Sequence, residues 1–95
     1  MKVPFELLAL FRQKAGTDRL EVEVPASGVP TVLDALRAVE ARLGGQALLE
    51  GEDLRPGVLV FLKQSGGAAH RVVHPAGERV GPGQAVVLST AMGGG

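Results

Sequence analysis

The sequence of 95 residues contains no cysteine, tryptophan or tyrosine, and its only aromatic residues are three phenylalanines. Without cysteine the chain has no disulfide, thiolate metal site or thiol nucleophile, so any sulfur chemistry must use another atom. Ten basic residues balance ten acidic ones, and this balance, with so few aromatics, leaves neither a phosphate-tracking surface nor a base-stacking platform. We therefore expect no direct binding to nucleic acid.

Long apolar runs are also missing, since none approaches the roughly 20 residues that a helix needs to cross a bilayer. The apolar segment 3–11 is interrupted by Glu6 and followed by Arg12 and Lys14 without a small-residue cleavage pattern, so we expect no signal peptide. A hydrophobic content of 45% suits one compact domain. We expect that domain to lie in the cytoplasm and not in a membrane.

Alternating apolar residues predict two strands near the start of the chain. Residues 3–7 alternate with the two-residue period of a half-buried strand that continues towards Leu10. Residues 20–24 repeat that period more clearly. Residues 12–18 contain a glycine and polar residues suitable for a connecting turn. The two strands should form a hairpin.

A helix should begin after Thr31, whose hydroxyl can accept a hydrogen bond from the amide of Asp34. Apolar residues then recur at spacings of four, three and four, which places them on one helical face. They are Val32, Leu36, Val39 and Leu43. Gly44 and Gly45 should end the helix.

The second half of the chain predicts three further strands, at residues 58–62, 71–73 and 85–88. They follow a segment at 46–57 that we expect to be irregular and to contain a turn at Arg55-Pro56-Gly57. A hairpin, a helix and more strands cannot all be joined by right-handed parallel crossovers. The sequence therefore predicts an α+β fold with a mixed sheet of four to five strands and one main helix packed across one face. That arrangement is the β-grasp, or ubiquitin-like, architecture.

Three glycines, Gly93, Gly94 and Gly95, follow the last predicted strand. Because they lack side chains, they could lie extended in a narrow channel and deliver a carboxylate to a buried nucleotide, where a Cβ atom would collide with the walls. A frayed end is the alternative that composition alone leaves open. We predict a domain over residues 1–90 and a flexible tail over residues 91–95.

Several segments resemble a known family. The opening FELLALFRQKAGTDRLEVEVP and the helix TVLDALRAVEARLG are similar to the small subunit of molybdopterin synthase. The segments LRPGVLV and AVVLSTAMGGG resemble the eukaryotic ubiquitin-related modifier. The match spans nearly the whole chain, which thus resembles the ubiquitin-like sulfur carriers, a group that also includes the thiamine sulfur carrier.

The resemblance implies a carrier that is not itself an enzyme and binds no cofactor. In such proteins a partner resembling the ubiquitin-activating enzyme adenylates the C-terminal carboxylate with ATP, and a sulfur donor converts the acyl adenylate into a thiocarboxylate. The donor would be a persulfide-bearing sulfurtransferase or desulfurase. Gly95, or Gly94 after trimming, would carry the sulfur, and Gly93 and Gly94 would thread into the partner. An accepting enzyme would use the sulfur for tRNA thiolation, molybdenum cofactor or related biosynthesis.

Three alternatives stay open at this stage. The activated Gly95 could be attacked by lysine amines of target proteins, which would make the chain a protein modifier. The chain could be the small subunit of a molybdopterin synthase, although Ser89 and Thr90 stand where that branch usually has prolines. It could also be a plain interaction module with an incidental glycine tail.

A surface patch is a second candidate site. If Val60 and Leu62 point towards the helix, Leu59 and Phe61 point to the opposite face of the sheet and could form a partner-docking patch beside the tail. Burial of both residues by loops is an equally good explanation.

Two histidines complete the candidate residues. His70 and His74 are four residues apart, a spacing that serves zinc binding on a helix, but the residues between and after them favour extended chain. We therefore predict no metal site.

Overall fold

A five-stranded mixed sheet forms the body of the protein, in a computed structural model that describes residues 1–25, 27–43 and 48–91. In chain order the elements are β1 (Lys2–Leu7), α1 (Ala9–Ala15), β2 (Arg19–Glu23), α2 (Val32–Arg42), β3 (Leu49–Glu50), β4 (Asp53–Leu54), β5 (Val58–Lys63), β6 (Ala69–Arg71), a 3₁₀ turn (Pro75–Gly77) and β7 (Ala85–Thr90).

The strands of the main sheet lie in the order β2-β1-β7-β5-β6, so the last strand of the chain is in the middle. β1 pairs antiparallel with β2 and parallel with β7, while β5 pairs antiparallel with both β7 and β6. The predicted hairpin partners, the mixed sheet and the α+β class are confirmed. Among the described residues no helix is long and apolar enough to span a membrane.

The N-terminus of α2 has the predicted cap. The Thr31 hydroxyl accepts a hydrogen bond from the Asp34 amide at 3.1 Å, and the Asp34 carboxylate accepts one from the Thr31 amide at 3.0 Å. These reciprocal bonds form a capping box, which satisfies backbone donors that the first turn would leave unpaired. The helix ends at Arg42, and the glycines expected to terminate it lie outside the described residues.

The core lies between α2 and one face of the sheet. The four helix residues predicted to face inward are buried, with exposures of 0 to 5%. Alternate strand residues meet them: Val3, Phe5, Leu7, Val22, Val60, Leu62, Val86 and Leu88. Burial of a side chain of this size contributes about 1.5–3 kcal/mol, and no described polar or charged residue is fully buried.

The first connection differs from the prediction. The expected continuation of the first strand towards Leu10 is wrong, because β1 ends at Leu7 and α1 follows it. The turn expected over residues 12–18 is confined to residues 16–18, because α1 extends to Ala15. Phe11 on α1 is buried, and Gly16 ends the helix in the left-handed conformation. No side chain caps the start of α1, so the sequence carries no start signal there.

The second half of the chain also differs from the prediction. The described part of the segment expected to be irregular, residues 48–57, contains the hairpin of β3 and β4, whose two-residue strands are too short to show a period. The strand expected at 71–73 lies at Ala69–Arg71, and the 3₁₀ turn after it was not expected. The other two strands of this half lie where predicted and are one or two residues longer.

Ala9, the first residue of α1, has a φ of +54°. Left-handed backbone costs an L-residue roughly 1–2 kcal/mol and costs glycine almost nothing. We therefore expect Ala9→Gly to leave the free energy of unfolding unchanged or to raise it by up to about 1 kcal/mol. The matched change Ala41→Gly, at an exposed position within α2, should lower it by about 0.5–1 kcal/mol.

Urea unfolding followed by circular dichroism compares the two variants. Equal losses of stability for Ala9→Gly and Ala41→Gly would show that no backbone strain is relieved at residue 9.

Candidate functional site

The face of the main sheet that points away from α2 carries the predicted docking residues. Val60 and Leu62 are buried beneath the helix, with exposures of 0 and 3%. Leu59 and Phe61 alternate with them and are half-buried, so they lie on the opposite, open face. The orientation that the docking hypothesis required is present, while docking itself stays a prediction.

Neighbouring strands extend this apolar surface. Phe61 is in register with Val87 of β7, and Leu59 is in register with Ser89. Val87 is 8% exposed although it points to the open face. Leu59, Phe61 and Val87 therefore form a continuous apolar cluster over the middle of the sheet.

Two more exposed apolar residues flank this cluster near the end of β7. Leu8, directly after the buried Leu7, is 45% exposed, and its amide donates a hydrogen bond to the Leu88 carbonyl at 2.9 Å. Val73, directly after the buried Val72, is 58% exposed. We call the five residues Leu8, Leu59, Phe61, Val73 and Val87 the apolar band. Sequence reasoning identified only Leu59 and Phe61, although alternation with buried neighbours could have indicated the others.

The last described residue leaves the sheet beside the apolar band. The Ala91 amide donates a hydrogen bond to the Gly57 carbonyl at 2.7 Å. Gly57 has a φ of +90° and follows Pro56, and the Val58 amide bonds to the Arg55 carbonyl at 3.1 Å, as in a type II turn. This turn, predicted from Arg55-Pro56-Gly57, thus positions the start of the tail.

The predicted site residues of the tail, Gly93, Gly94 and Gly95, lie outside the described residues. The predicted boundary between residues 90 and 91 therefore stays a prediction. What the structure adds is the position of Ala91 at the edge of the apolar band.

Two shallow depressions open on either side of the cluster. One, of about 360 Å³, adjoins Ala91 and is lined among others by Arg55, Leu59, Arg71 and Val73. The other, of about 380 Å³, lies over β1 and β2 and is lined by Pro4, Phe5, Glu6, Arg19, Leu20, Glu21 and Ala85. Both are open to solvent, a shape that suits contact with a protein surface better than enclosure of a small substrate.

An ion pair crosses the open face. The Lys63 ammonium lies 3.1 and 3.3 Å from the two carboxylate oxygens of Glu6. Glu6 is on β1 and Lys63 on β5, so the two side chains meet over the intervening strand β7. No sequence feature indicated this contact.

The histidines do not come together with other metal-ligating groups in the described ranges. His70 Nε2 contacts the Glu78 carboxylate at 2.5 Å. Within residues 1–25, 27–43 and 48–91, no group of three or more His, Cys, Asp or Glu side chains could hold a metal ion.

Comparison with known proteins finds solved structures with a similar fold. No family model and no curated protein matches the chain. Among solved structures, SAMP1 from Haloferax volcanii is 20% identical with a TM-score of 0.75, and both chains are covered completely. The HVO 2177 protein of that organism is 26% identical with a TM-score of 0.70, covering 100% of this chain and 87% of the other.

A third similar structure is a Pyrococcus furiosus protein provisionally named molybdopterin converting factor, subunit 1. It is 24% identical with a TM-score of 0.70, and the match covers 97% of this chain and 99% of the other. Another structure of small archaeal modifier protein 1 matches as well. These neighbours confirm the β-grasp fold.

The turn that holds Ala91 can be tested with a matched pair of glycine variants. A Cβ atom added at either Gly57 or Gly66 would meet nothing within 4 Å, but only Gly57 has a positive φ. We expect Gly57→Ala to lower the free energy of unfolding by about 1–2 kcal/mol through backbone strain alone. Gly66→Ala should leave it unchanged or raise it by about 0.4–1 kcal/mol.

Urea unfolding of both variants provides the measurement. If Gly57→Ala proved as stable as Gly66→Ala, the turn would not require a left-handed residue, and its role in positioning Ala91 would be unsupported.

Proposed function

We propose that this chain is a sulfur carrier, whose C-terminal carboxylate a partner enzyme adenylates before a sulfur donor converts it to a thiocarboxylate. The observation that carries the proposal is the position of Ala91, the last described residue, beside the apolar band. The chain leaves the sheet at Ala91, next to Leu59, and the sequence continues to Gly93, Gly94 and Gly95. The fold is shared with proteins named as a small archaeal modifier and a molybdopterin converting factor subunit, which supports the proposal.

The short tail explains why the apolar band should touch the partner. The four residues after Ala91 can reach at most about 14 Å when fully extended. A nucleotide that receives the Gly95 carboxylate must therefore lie within that distance of Ala91. Any enzyme large enough to enclose the nucleotide would then cover the band, including Leu59 and Phe61.

The chemistry needs only the terminal carboxyl group from this chain. A carboxylate oxygen of Gly95 attacks the α-phosphorus of ATP, and pyrophosphate leaves. The terminal sulfur of a persulfide then attacks the acyl carbon and releases AMP, which forms an acyl disulfide. A second thiol of the sulfur donor cleaves the sulfur–sulfur bond, so the thiocarboxylate stays on the carrier and the donor becomes a disulfide.

The proposal names the partners by their chemistry. They are an adenylyltransferase resembling the ubiquitin-activating enzyme, a persulfide-bearing sulfur donor, and an enzyme that accepts the sulfur for tRNA thiolation, molybdenum cofactor or related biosynthesis. The carrier would work in the cytoplasm, would hold no cofactor of its own, and would catalyse nothing by itself.

Intact-mass spectrometry of the chain from its native host tests the proposal. Replacement of one terminal oxygen by sulfur should add about 16 Da to a fraction of the molecules, as acyl transfer to sulfur requires. Deletion of Gly94 and Gly95 should abolish that species without changing the urea midpoint, because the deleted residues belong to the tail.

Two results would count against the carrier function. One is repeated absence of the heavier species from the wild-type chain while the adenylating enzyme is active. The other is full biological function of the truncated chain, which would favour a plain interaction module.

Conjugation to proteins is a second candidate function, favoured by the structural similarity to small archaeal modifier protein 1. A lysine amine of a target protein would attack the activated Gly95 carbonyl and form an isopeptide bond, releasing AMP or sulfide. Arg79 is the last basic residue of the chain, so tryptic digestion should leave residues 80–95 attached to the modified lysine.

A search for that remnant in digests of the host proteome decides the matter. Its presence in wild-type cells, and its disappearance when Gly94 and Gly95 are deleted, would establish the modifier role. Its absence in cells that contain the thiocarboxylate would leave sulfur carriage as the sole function of the tail.

A further inference from the structure

The ion pair between Glu6 and Lys63 lies on the open face next to the apolar band, on the side away from Ala91. Glu6 is in register with Val87, and Lys63 is in register with Ala85. The pair therefore spans two strand spacings, roughly 10 Å, over a strand that offers only a methyl group at residue 85. The side chains of Lys63 and Glu6 are 38% and 30% exposed, so water still reaches both charges.

We propose that the adenylating partner presents an acidic group to Lys63 and a basic group to Glu6, and that this ion pair selects the partner. The inference rests on the proposed carrier function and adds a determinant of specificity to it. The apolar band supplies contact area, which many partners could match. The ion pair restricts binding to partners that carry an acidic group opposite Lys63 and a basic group opposite Glu6.

The physical reason is desolvation. Contact with Phe61 and Val87 brings the partner next to Glu6, which lies directly beside Val87. An ammonium has three donors and a carboxylate has about four acceptor positions, so the mutual contact leaves several of them to water. Binding of a partner that removes this water without supplying new hydrogen bonds is disfavoured, whereas binding of a partner with complementary charges is not. Rejection of unmatched surfaces in this way provides specificity.

The charges around the pair give the face a direction. Arg71 lies in register with Phe61 on the Lys63 side of the sheet. On the Glu6 side, Glu21 lies opposite Pro4 and Arg19 lies opposite Glu6 at the outer strand. Lys63 and Arg71 therefore place positive charge on the β5 and β6 side of the open face, while the other side carries Glu6 and Glu21 together with Arg19. An acid and a base on the partner can thus meet Lys63 and Glu6 in one orientation only.

The competing explanation is that the pair only stabilises the sheet. Ion pairs with this degree of exposure contribute little to folding stability, so stabilisation of the sheet is a weak explanation for the pair. The two explanations differ when the charges are exchanged, since an exchanged pair can still form within the sheet but presents the wrong signs to a partner.

The test is the double variant Glu6→Lys with Lys63→Glu, introduced at the chromosomal copy in the native host. We expect the urea midpoint of the purified protein to stay at the wild-type value. The fraction carrying the additional sulfur in intact-mass spectra should fall at least about tenfold, because like charges would then face each other across the interface. Arg37→Glu, on the exposed side of α2, is the control for a charge change away from this face and should have no effect.

The outcomes separate this inference from the carrier function. If the wild-type chain and the variant with the exchanged pair carried the thiocarboxylate in equal fractions, the inference would be overturned and the carrier function would stay intact. Absence of the thiocarboxylate from the wild-type chain would remove both. If charge-reversing mutations in the adenylating enzyme restored the thiocarboxylate on the variant with the exchanged pair, they would identify the enzyme residues that face Glu6 and Lys63 and would confirm the inference.

Two additional variants keep the test decisive. If the exchanged pair failed to fold, Glu6→Gln with Lys63→Gln would replace it. The sulfur-carrying fraction should again fall, because the partner's acidic and basic groups would lose their counterparts, and a wild-type fraction would overturn the inference. Phe61→Ser should reduce the fraction that carries the thiocarboxylate, because the partner would lose apolar contact. If the wild-type chain sedimented as a dimer that Phe61→Ser dissociates, the face would be assigned to a second copy of the chain, and the inference would be wrong.

Discussion

The parallel pairing of β1 with β7 is the contact on which the rest of the structure depends. It joins the first and last strands of the chain at the centre of the sheet, with Phe5 opposite Val86 and Leu7 opposite Leu88. Because the two strands run in the same direction, β7 ends beside the beginning of α1 and beside the turn at Gly57. The same pairing therefore closes the core and decides where the tail leaves the body.

The two faces of the sheet differ in composition. Strand alternation sends Val60 and Leu62 into the core and sends Leu59 and Phe61 to the open face. The core face is covered by α2 and contains no buried polar residue among those described. The open face keeps apolar residues partly exposed together with charges, which is the composition expected of a surface that binds a protein reversibly.

The likeness to other β-grasp proteins is a likeness of backbone more than of sequence. The neighbours share 20 to 26% identity with this chain over nearly its whole length. A fold of this kind hosts several functions, so the site carries the functional argument. The proposed site consists of the apolar band, the turn that anchors Ala91, and the Glu6–Lys63 pair, all on one side of the sheet.

Local chemistry made part of this protein predictable from its sequence. The capping box of Thr31 and Asp34 joins residues three apart, so the start of α2 could be predicted. The alternation of Val3, Phe5 and Leu7, and the Arg55-Pro56-Gly57 turn, are equally local. Strand geometry also placed Leu59 and Phe61 on the face opposite Val60 and Leu62, but it left open which of the two faces the helix covers.

Tertiary structure alone decided the remaining features, because they depend on residues far apart in the chain. The contact between Glu6 and Lys63 joins residues 57 positions apart, and only the register of β1, β7 and β5 brings them together. The burial of Phe11 on α1 likewise requires the assembled core. The sequence by itself determined the elements with a strong local signal and the glycines of the tail. The strand register decided which side chains share a surface, since no local pattern encodes pairing between distant strands.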